Sequence, residues 1–392
     1  MRSRFVVGIL VLSLAFGWFG SVALAAEPIV FGLSAPITGA NATWGDIMRN
    51  HVGLAVEEIN AKGGILGRPI KLVVEDNQST VTGGIVAFQK LISQNPNMVA
   101  IAGLTFSNMV LGLMPYVAQE KIPCIVNASN PKITYENNGY MIRTYMNDAV
   151  AAEIATRYAY EKLGKKVAIL NNSNEMGTAG GKAIADTLKK YYNAKPVAWE
   201  QYNTGDKDFS GQLMKIAAAG ADVIVHWGHA LEAALIMKQR VALGLTNIDL
   251  VGSPDHAIAT TLDLAKENAN GVYSIINFIP QLKGDPKVSA YVERFQKRFG
   301  ILPDSHSALY DGVYMLKAAI EKVGAKGLEG DIKAVRQRIT NALYGMKYDG
   351  VVADYFVAPN GDALWELMIV KIVDGTKKDV RPVEKFRTEP SK

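Results

Sequence analysis

Hydrophobic and polar positions alternate along this chain of 392 residues with two different periods. Short apolar runs, such as IKLVVED at residues 70–76, are typical of buried strands. Between them lie longer segments whose apolar residues recur at helical spacing, as Ile47, Val52 and Ile59 do within residues 44–61. This regular alternation predicts a mostly parallel sheet that is covered by helices on both faces.

The alternation occurs in two blocks, which predicts two lobes of the same α/β architecture. In the first block, strands are predicted at 28–35, 70–76, 97–103 and 123–128, and helices at 44–61, at 79–94 with Ser79 as the N-cap, and after Ser107. In the second block, strands are predicted at 140–148, 165–173, 197–203, 221–228, 248–253 and 271–280, and helices at 148–163, 176–191, 207–219, 230–243 and 257–266. The tail adds predicted helices at 286–299, 305–323 and 331–341 and a hairpin around PNGD at 359–362. Because three helices with few strands cannot form a third sheet, we expect the tail to complete both lobes.

The N-terminus has the features of a signal peptide, predicted at residues 1–25. A basic MRSR precedes an apolar run that is broken by Gly17 and Gly20, and ALA at 23–25 fits a small-x-small cleavage site before Ala26. An uncleaved membrane anchor is the alternative, since the run approaches the length that spans a bilayer. The cleavage site and the glycines favour an exported, soluble mature protein.

Charge and cysteine content limit the kinds of binding partner and the cellular compartment that we expect for this protein. The formal net charge of +5 includes Arg2 and Arg4, and no basic run with interleaved aromatic residues is present, so we expect no nucleic-acid partner. The single cysteine, Cys124, lies in the apolar run IPCIVNA and is predicted to be a buried thiol. It cannot form an internal disulfide or carry a lipid anchor near the N-terminus, so the periplasm is the expected location.

The common catalytic and cofactor-binding motifs do not occur. MGTAGGKA at 176–183 departs from a phosphate-binding loop at Met176 and Ala183, and the sequence has no G-x-S-x-G elbow, no H-E-x-x-H and no strand followed by G-x-G-x-x-G. His226 and His229 straddle the end of a predicted strand, which favours packed or cleft-lining histidines over a metal pair. We expect no enzyme activity, no metal and no cofactor, with an exported two-lobed enzyme as the alternative.

Four strings, in order, resemble the type I periplasmic binding proteins, and within them the leucine/isoleucine/valine-binding subfamily. They are TGANATWGD, EEINAKGGILGRPIKLVVED, IPCIVNASNP and PDSHSALYDGVYMLKAAI, and the resemblance extends from about Ile29 to about Asp374. It implies two doubly wound Rossmann-like lobes, 26–145 plus 278–362 and 146–277 plus 363–385, joined by three hinge crossovers near 144–147, 277–280 and 361–365. It further implies a periplasmic receptor, expected to be a monomer, that captures a branched-chain or related amino acid by hinge closure. The receptor would deliver this ligand to an inner-membrane ABC permease.

The resemblance also implies which first-lobe residues hold the ligand. Ser107, preceded by Phe106, matches the turn that binds the ligand α-carboxylate through a hydroxyl and backbone N–H groups. The segment Ala128, Ser129 and Asn130 matches one that supplies a backbone carbonyl and a threonine hydroxyl, with Asn130 at the threonine position. Trp44 matches an aromatic residue at the cleft mouth. Two alternatives stay open: Ser107 only caps its own helix, and Trp44 only packs in the core.

In the second lobe the chain departs from the family pattern. Family tyrosines fall on Met176 and near His229, and the acidic residue that pairs with the ligand ammonium falls at Asp255. Asp255 keeps an amino acid as the leading expectation. His229, with His226 and His256 near it in sequence, instead suits a second acidic group or an aromatic acid without an amine. Another small carboxylate or an amide, and a ligand-sensing role in place of transport, therefore remain alternatives.

Overall fold

Two sheets, each covered by helices, form two lobes in the computed structural model, which describes residues 27–39, 41–136, 139–280, 285–364 and 366–387. The predicted signal peptide lies outside these residues. The first sheet is parallel, in the order β2-β1-β3-β4-β5, with β1 (Ile29–Ala35), β2 (Ile70–Asp76), β3 (Met98–Thr105), β4 (Cys124–Asn127) and β5 (Met141–Arg143). Its helices are α1 (Thr43–Ala61), α2 (Val81–Gln94), α3 (Ser107–Glu120) and α4 (Lys132–Tyr135).

The second sheet has seven strands among the described residues, in the order β14-β13-β10-β9-β8-β6-β7. Its parallel strands are β6 (Val167–Asn172), β7 (Ala198–Tyr202), β8 (Val223–Trp227), β9 (Asp249–Gly252) and β10 (Tyr273–Ile276). Its helices are α5 (Asp148–Tyr158), which continues as a π-helical turn over Ala159–Leu163, α6 (Glu175–Tyr192), α7 (Ser210–Ala218), α8 (Ala230–Ala242) and α9 (Ala259–Ala265). The predicted doubly wound α/β fold with two lobes is confirmed.

The tail returns to both lobes, as expected. Helices α10 (Pro286–Phe299), α11 (Ala308–Val323) and α12 (Ile332–Leu343) belong to the first lobe, where α11 packs against α1, β3 and β4. The tail also forms a small antiparallel pair, β11 (Lys347–Asp349) and β12 (Asp354–Phe356). Strands β13 (Glu366–Asp374) and β14 (Asp379–Arg387) then extend the second sheet with antiparallel pairing.

The prediction of a hairpin around PNGD is wrong for its long apolar arm, which forms β13. The two sides of this turn are joined only close to the turn, by the bridge between Tyr355 and Leu364 and by backbone hydrogen bonds from Phe356 to Ala363 (3.0 Å) and from Ala358 to Asp362 (2.8 Å), whereas β12 pairs with β11. The apolar arm β13 leaves for the other lobe, where β10 and β14 satisfy its backbone groups on both sides. An apolar strand that is paired on both edges is more completely buried there than in an isolated hairpin.

The predicted cap of the second helix is also wrong. Thr80, not Ser79, is the N-cap of α2, and its Oγ1 accepts a hydrogen bond of 2.9 Å from the N–H of Gly83. The Ser79 hydroxyl donates to the carbonyl of Thr38 at 2.8 Å and accepts from the N–H of Asn41 at 3.0 Å. Ser79 therefore fixes the loop that follows β1.

Cys124 is fully buried in β4, as predicted, and burial raises the pKa of its thiol. Cys124 is thus a core residue, since a thiol with a raised pKa is poor in the reactive thiolate. In the part of the chain that the structure describes, no helix combines the length and the apolar character needed to cross a bilayer.

The chain passes between the lobes three times, and two of the crossovers lie side by side. The N–H of Arg143 donates to the carbonyl of Gly361 at 2.8 Å, and the N–H of Ala363 donates back to the carbonyl of Arg143 at 3.0 Å. The buried Arg143 guanidinium also pairs with Asp362, with Nε 2.7 Å from Oδ1. Trp365, at the end of the third expected hinge, lies outside the described residues.

Candidate functional site

A cavity of about 290 Å³ lies between the two lobes, at the carboxyl ends of both parallel sheets. In each sheet the connections reverse direction at one place, between β1 and β3 in the first and between β6 and β8 in the second. Such reversals leave a crevice outside the strand ends, where doubly wound sheets bind their ligands. The closed arrangement of the lobes sets these two crevices face to face.

Eight of the nine predicted binding residues line this cavity. They are Trp44, Phe106, Ser107, Ala128, Ser129, Met176, His229 and Asp255. Asn130 does not line it. The first five belong to the first lobe and the last three to the second, so the cavity is completed only when the lobes meet.

The N-terminus of α3 faces the cavity with its first turn uncapped. Phe106 is the N-cap residue, and it has a left-handed φ of 61° and no side-chain cap. The hydroxyl oxygen of Ser107 instead accepts a hydrogen bond of 3.2 Å from the N–H of Asn130. The alternative that Ser107 only caps its own helix is therefore wrong. Its hydroxyl hydrogen and the first N–H groups of α3 remain able to donate to an anion.

The segment that carries Ala128 and Ser129 is held from behind by Arg143. The Arg143 guanidinium donates to the carbonyls of Ser129 at 3.1 Å and Asn130 at 2.8 Å, besides its ion pair with Asp362. Because the same guanidinium holds the cavity wall and two crossovers, the first-lobe half of the site is coupled to the hinge.

Asn130 connects the lobes directly. Its amide Nδ2 donates across the cleft to the carbonyl of Glu175 at 3.1 Å, and its Oδ1 accepts from the N–H of Lys132 at 3.0 Å. Because both polar atoms of its side chain bond to the protein, Asn130 stabilises the contact between the lobes and does not line the cavity.

In the second lobe, a chain of hydrogen bonds determines which ring nitrogen of neutral His229 carries the hydrogen. Asn174 Oδ1 accepts from the N–H of Gly177 at 2.8 Å, so its amide nitrogen faces His229 Nε2 at 3.0 Å. An amide nitrogen can only donate, so Nε2 of neutral His229 accepts, and Nδ1 carries the hydrogen toward Asp255 Oδ2 at 3.3 Å. Burial lowers the pKa of His229, but the hydrogen bond and charge of Asp255 outweigh burial and raise it overall.

Aromatic rings form a continuous wall across the cleft. Phe106 meets His229 edge-on with ring centroids 6.5 Å apart, and on its other side it meets Trp44 at 6.1 Å. Trp44 is half-buried and lines the cavity, so its contacts there exclude the alternative of a purely core role.

The sequence of this chain matches the family model described as periplasmic binding protein over residues 28–377. The chain belongs to the periplasmic binding protein family. This match, together with relatives named Leu/Ile/Val-binding proteins, confirms the resemblance to the type I, leucine/isoleucine/valine-binding group.

Relatives of this periplasmic binding protein are named as amino-acid-binding proteins. The Leu/Ile/Val-binding protein BraC3 of Rhizobium johnstonii is 29% identical over 332 residues, which cover 83% of this chain and 86% of the relative. A leucine-, isoleucine-, valine-, threonine- and alanine-binding protein of Pseudomonas aeruginosa is 25% identical over 336 residues, with 83% and 86% covered.

Solved structures share the fold. A leucine-binding protein from Thermotoga maritima superposes with a TM-score of 0.80 at 21% identity, covering 92% of this chain and 99% of its own. A solute-binding protein from Rhodopseudomonas palustris, in complex with 3,4-dihydroxybenzoic acid, gives a TM-score of 0.80 at 24% identity, with 92% and 98% covered. These similarities establish the architecture of this periplasmic binding protein, while its ligand has to be argued from its own residues.

Two of the histidines near His229 in sequence do not reach the cavity. His226 and His256 are fully buried in a hydrogen-bonded chain that runs from Tyr202 Oη to His226 Nε2 (2.8 Å), from His226 Nδ1 to His256 Nε2 (2.9 Å), and from His256 Nδ1 to the carbonyl of Ser253 (3.1 Å). Burial lowers the pKa of His256 to about 4 and holds that of His226 well below its ordinary value. Of the three histidines considered for an acidic ligand, only His229 lines the cavity, whereas His226 and His256 are packed with their ring nitrogens satisfied.

Several residues that line the cavity were not predicted from the sequence. They include Asn41, Asn127, Tyr145, Asn174, Thr204 and His306. His306 lies within the string PDSHSALYDGVYMLKAAI used for the resemblance, but only the return of the tail to the first lobe brings it to the cavity. Among the described residues, no three His, Cys, Asp or Glu side chains are grouped so that they could hold a metal ion.

Proposed function

We propose that this protein is the solute receptor of an ABC importer, that it acts in the periplasm, and that it captures a small amino acid between its lobes. One observation carries the proposal: the two sides of the cavity have opposite polarity. The uncapped N-terminus of α3 and the Ser107 hydroxyl offer donors on the first lobe, and Asp255 offers a carboxylate on the second. A zwitterion with its carboxylate on α3 and its ammonium on Asp255 satisfies both sides at once.

Asp255 is arranged to accept a cation. Its side chain is only 5% exposed, and its Oδ2 is engaged by His229. Its Oδ1 makes no hydrogen bond to any residue that the structure describes, and it is not among the enclosed atoms without a partner, so it borders the cavity. A buried carboxylate oxygen without a partner is costly, and a ligand ammonium would remove that cost.

The size of the cavity supports a small solute. A volume of about 290 Å³ is at the lower end of the range for small-molecule sites, too small for a peptide or a dinucleotide. The names of the relatives, which include leucine-, isoleucine- and valine-binding proteins, agree with a ligand of this size.

A carboxylate without an amine is the second candidate ligand, and the His229–Asp255 pair favours it. If His229 is protonated, the pair is neutral by itself, and Asp255 then needs no ligand ammonium. The dihydroxybenzoate complex of the Rhodopseudomonas relative shows that this fold accommodates such an acid.

Hinge closure is the proposed mechanism of capture. Lobes made of residues 26–145 plus 278–362 and residues 146–277 plus 363–385 rotate about the crossovers, and ligand contacts on both lobes stabilise the closed state. The closed receptor, acting as a monomer, then presents a combined surface to the inner-membrane permease and releases its ligand unchanged.

A thermal-shift panel of amino acids, aromatic acids, short aliphatic acids and amides tests the proposal on the purified protein. A ligand at about 100 times its dissociation constant adds roughly 2.7 kcal/mol of stability. We expect amino acids to give the largest shifts. Shifts from simple carboxylates with none from any amine-bearing compound would overturn the amino-acid assignment, and chemical turnover of the ligand would overturn the receptor role.

A further inference from the structure

Asn174, which lines the cavity from the second lobe, is held in one orientation by the helix that it caps. It is the N-cap residue of α6, and its Oδ1 accepts a hydrogen bond of 2.8 Å from the N–H of Gly177. Its own N–H donates to Asn172 Oδ1 at 2.9 Å. A Cβ atom on Gly177 would lie 2.1 Å from the Asn172 carbonyl oxygen, so the first turn of α6 packs closely on the end of β6. An exchange of the amide nitrogen and Oδ1 would therefore remove the cap of α6.

This fixed amide places a hydrogen-bond donor against His229. Asn174 Nδ2 lies 3.0 Å from His229 Nε2, and an amide nitrogen donates but does not accept. A protonated imidazole carries a hydrogen on both nitrogens, so a second hydrogen on Nε2 would set two donors against each other. Protonation of His229 therefore requires Asn174 to break this contact, either by moving away or by turning and giving up its bond to Gly177. A hydrogen bond that only the neutral ring can accept disfavours the charged ring.

The charges around His229 act in the opposite direction. The titratable side chains near it come from α5, α6, α8, β8 and the turn after β9, and they are Asp148, Glu175, Glu232, His226 and Asp255. Burial lowers the pKa of His229, but the hydrogen bond and charge of Asp255, with the charges of Glu232 and Asp148, outweigh burial and raise it. Because these carboxylates favour a proton on the ring, the Asn174 amide is the hydrogen-bond partner that opposes one.

We propose that Asn174 is a positioning residue that determines specificity: its amide donates to Nε2 of His229, keeps a second hydrogen off the ring, and so preserves the negative charge of Asp255 for a ligand ammonium. This inference rests on the proposed function, since it assumes that the ammonium binds Asp255. A protonated His229 would neutralise Asp255 and favour a carboxylate without an amine. Asn174 thus selects between the two candidate classes of ligand.

An NMR titration of the histidine rings tests the effect on His229 without any ligand. Asn174→Ser keeps a residue that caps helices well but removes the amide donor, so water, which can accept, takes its place beside Nε2. The His229 signal is identified by its absence from His229→Gln. We expect His229 to take up its proton at a higher pH in Asn174→Ser than in the wild type. An equal or lower pH would overturn the inference and leave the proposed function intact.

Isothermal titration between about pH 5 and 8 tests the consequence for specificity. The probes are two matched pairs, leucine with its deaminated analogue isocaproate and alanine with propionate. At a pH where His229 is protonated in Asn174→Ser but not in the wild type, we expect the preference for the amino acid to fall at least about tenfold in the variant. An unchanged preference would overturn the inference alone. Tighter binding of both deaminated acids than of the amino acids by the wild type would overturn the proposed function as well.

The His229→Gln background shows whether Asn174 acts through His229. Glutamine takes up no proton, and its amide can accept from Asn174 and donate to Asp255, as neutral His229 does. We expect Asn174→Ser to leave the ratio of the two affinities unchanged in this background, because the two substitutions act on one interaction. A fall as large as in the protein that retains His229 would mean that Asn174 contacts the ligand directly, and it would overturn the inference.

Discussion

Phe106 adopts a backbone conformation that few non-glycine residues adopt, with φ at 61° and ψ at 117°. Such strain persists only where the surroundings enforce it, and it is found mainly at functional sites. Here it turns the chain from β3 into α3 so that Ser107 enters the helix instead of capping it. The strained residue thus leaves a helix N-terminus free for a ligand.

Replacement of Ser107 by alanine tests the role of this hydroxyl. We expect Ser107→Ala to weaken carboxylate binding by about 1–3 kcal/mol, because a donor to a charged group is removed. Isothermal titration measures the loss. The matched control is Ser79→Ala, a second cavity-lining serine whose hydroxyl already donates to Thr38, and it should change affinity far less. Equal effects of the two substitutions would contradict the assignment.

At the residue scale, the two residues proposed to hold the charged ends of the ligand, Ser107 and Asp255, were predicted from the sequence, whereas several other residues that line the cavity were not. The resemblance to the family predicts Ser107 and Asp255 as site residues, and both follow strands whose ends converge on one crevice, as in other doubly wound sheets. His306 was missed, because only long-range packing of α11 and the 304–306 turn brings it beside Trp44. For His226 the sequence leaves packing and cleft lining both open, and in the structure the rings of His226 and His256 form a buried hydrogen-bonded chain.

At the element scale, that buried chain anchors the 3₁₀ turn Pro254–His256, which carries Asp255. The carbonyl of Ser253 accepts from His256 Nδ1 at 3.1 Å, and the hydroxyl of Ser274 donates to the same carbonyl at 2.8 Å. Two donors therefore meet at one carbonyl, at the N-cap of the turn that follows β9. The position of Asp255 therefore depends on neutral histidines.

Acid should lower the stability of the second lobe, because His256 is buried there in its neutral form. The unfolded residue binds a proton below about pH 6.5, whereas the folded residue binds one only below about pH 4. Between these values the unfolded state holds more protons, so stability falls as the pH falls, by about 3 kcal/mol for this one group at pH 4. Urea unfolding of the wild type and of His256→Gln measures the effect. The variant should be less stable at pH 7, with a gap that narrows toward pH 4, and a constant gap would contradict the account.

The elements themselves were predictable where local pattern and tertiary pairing agree. The strand predicted at 70–76 and the helix predicted at 44–61 agree closely with β2 and α1. The pairing of β13 was not predictable, because its apolar sequence fits either a local hairpin or a central strand of the distant sheet. Ser79 and Thr80 are both favourable N-cap residues by type, with serine slightly preferred, and only the fold of the preceding loop selects Thr80.

At the scale of the whole molecule, closure joins two half-sites that are incomplete alone. The first lobe contributes donors at α3, the second contributes the Asp255 carboxylate, and the Asn130 amide bonds to Glu175 between them. Arg143 couples the Ser129 carbonyl to Asp362 in the neighbouring crossover. A ligand that touches both lobes therefore stabilises the same closed arrangement that the hinge contacts support.

The central claim is that a zwitterion bridges the lobes, with its carboxylate on the first and its ammonium on the second. The most direct measurement is isothermal titration with the best-binding amino acid, its deaminated acid and its decarboxylated amine. We expect loss of either charged end to weaken binding by at least about a hundredfold, since each leaves a buried group unpaired. Asp255→Asn should reduce the affinity for the amino acid to that for the deaminated acid. A deaminated acid that binds the wild-type protein as tightly as the amino acid would contradict the claim.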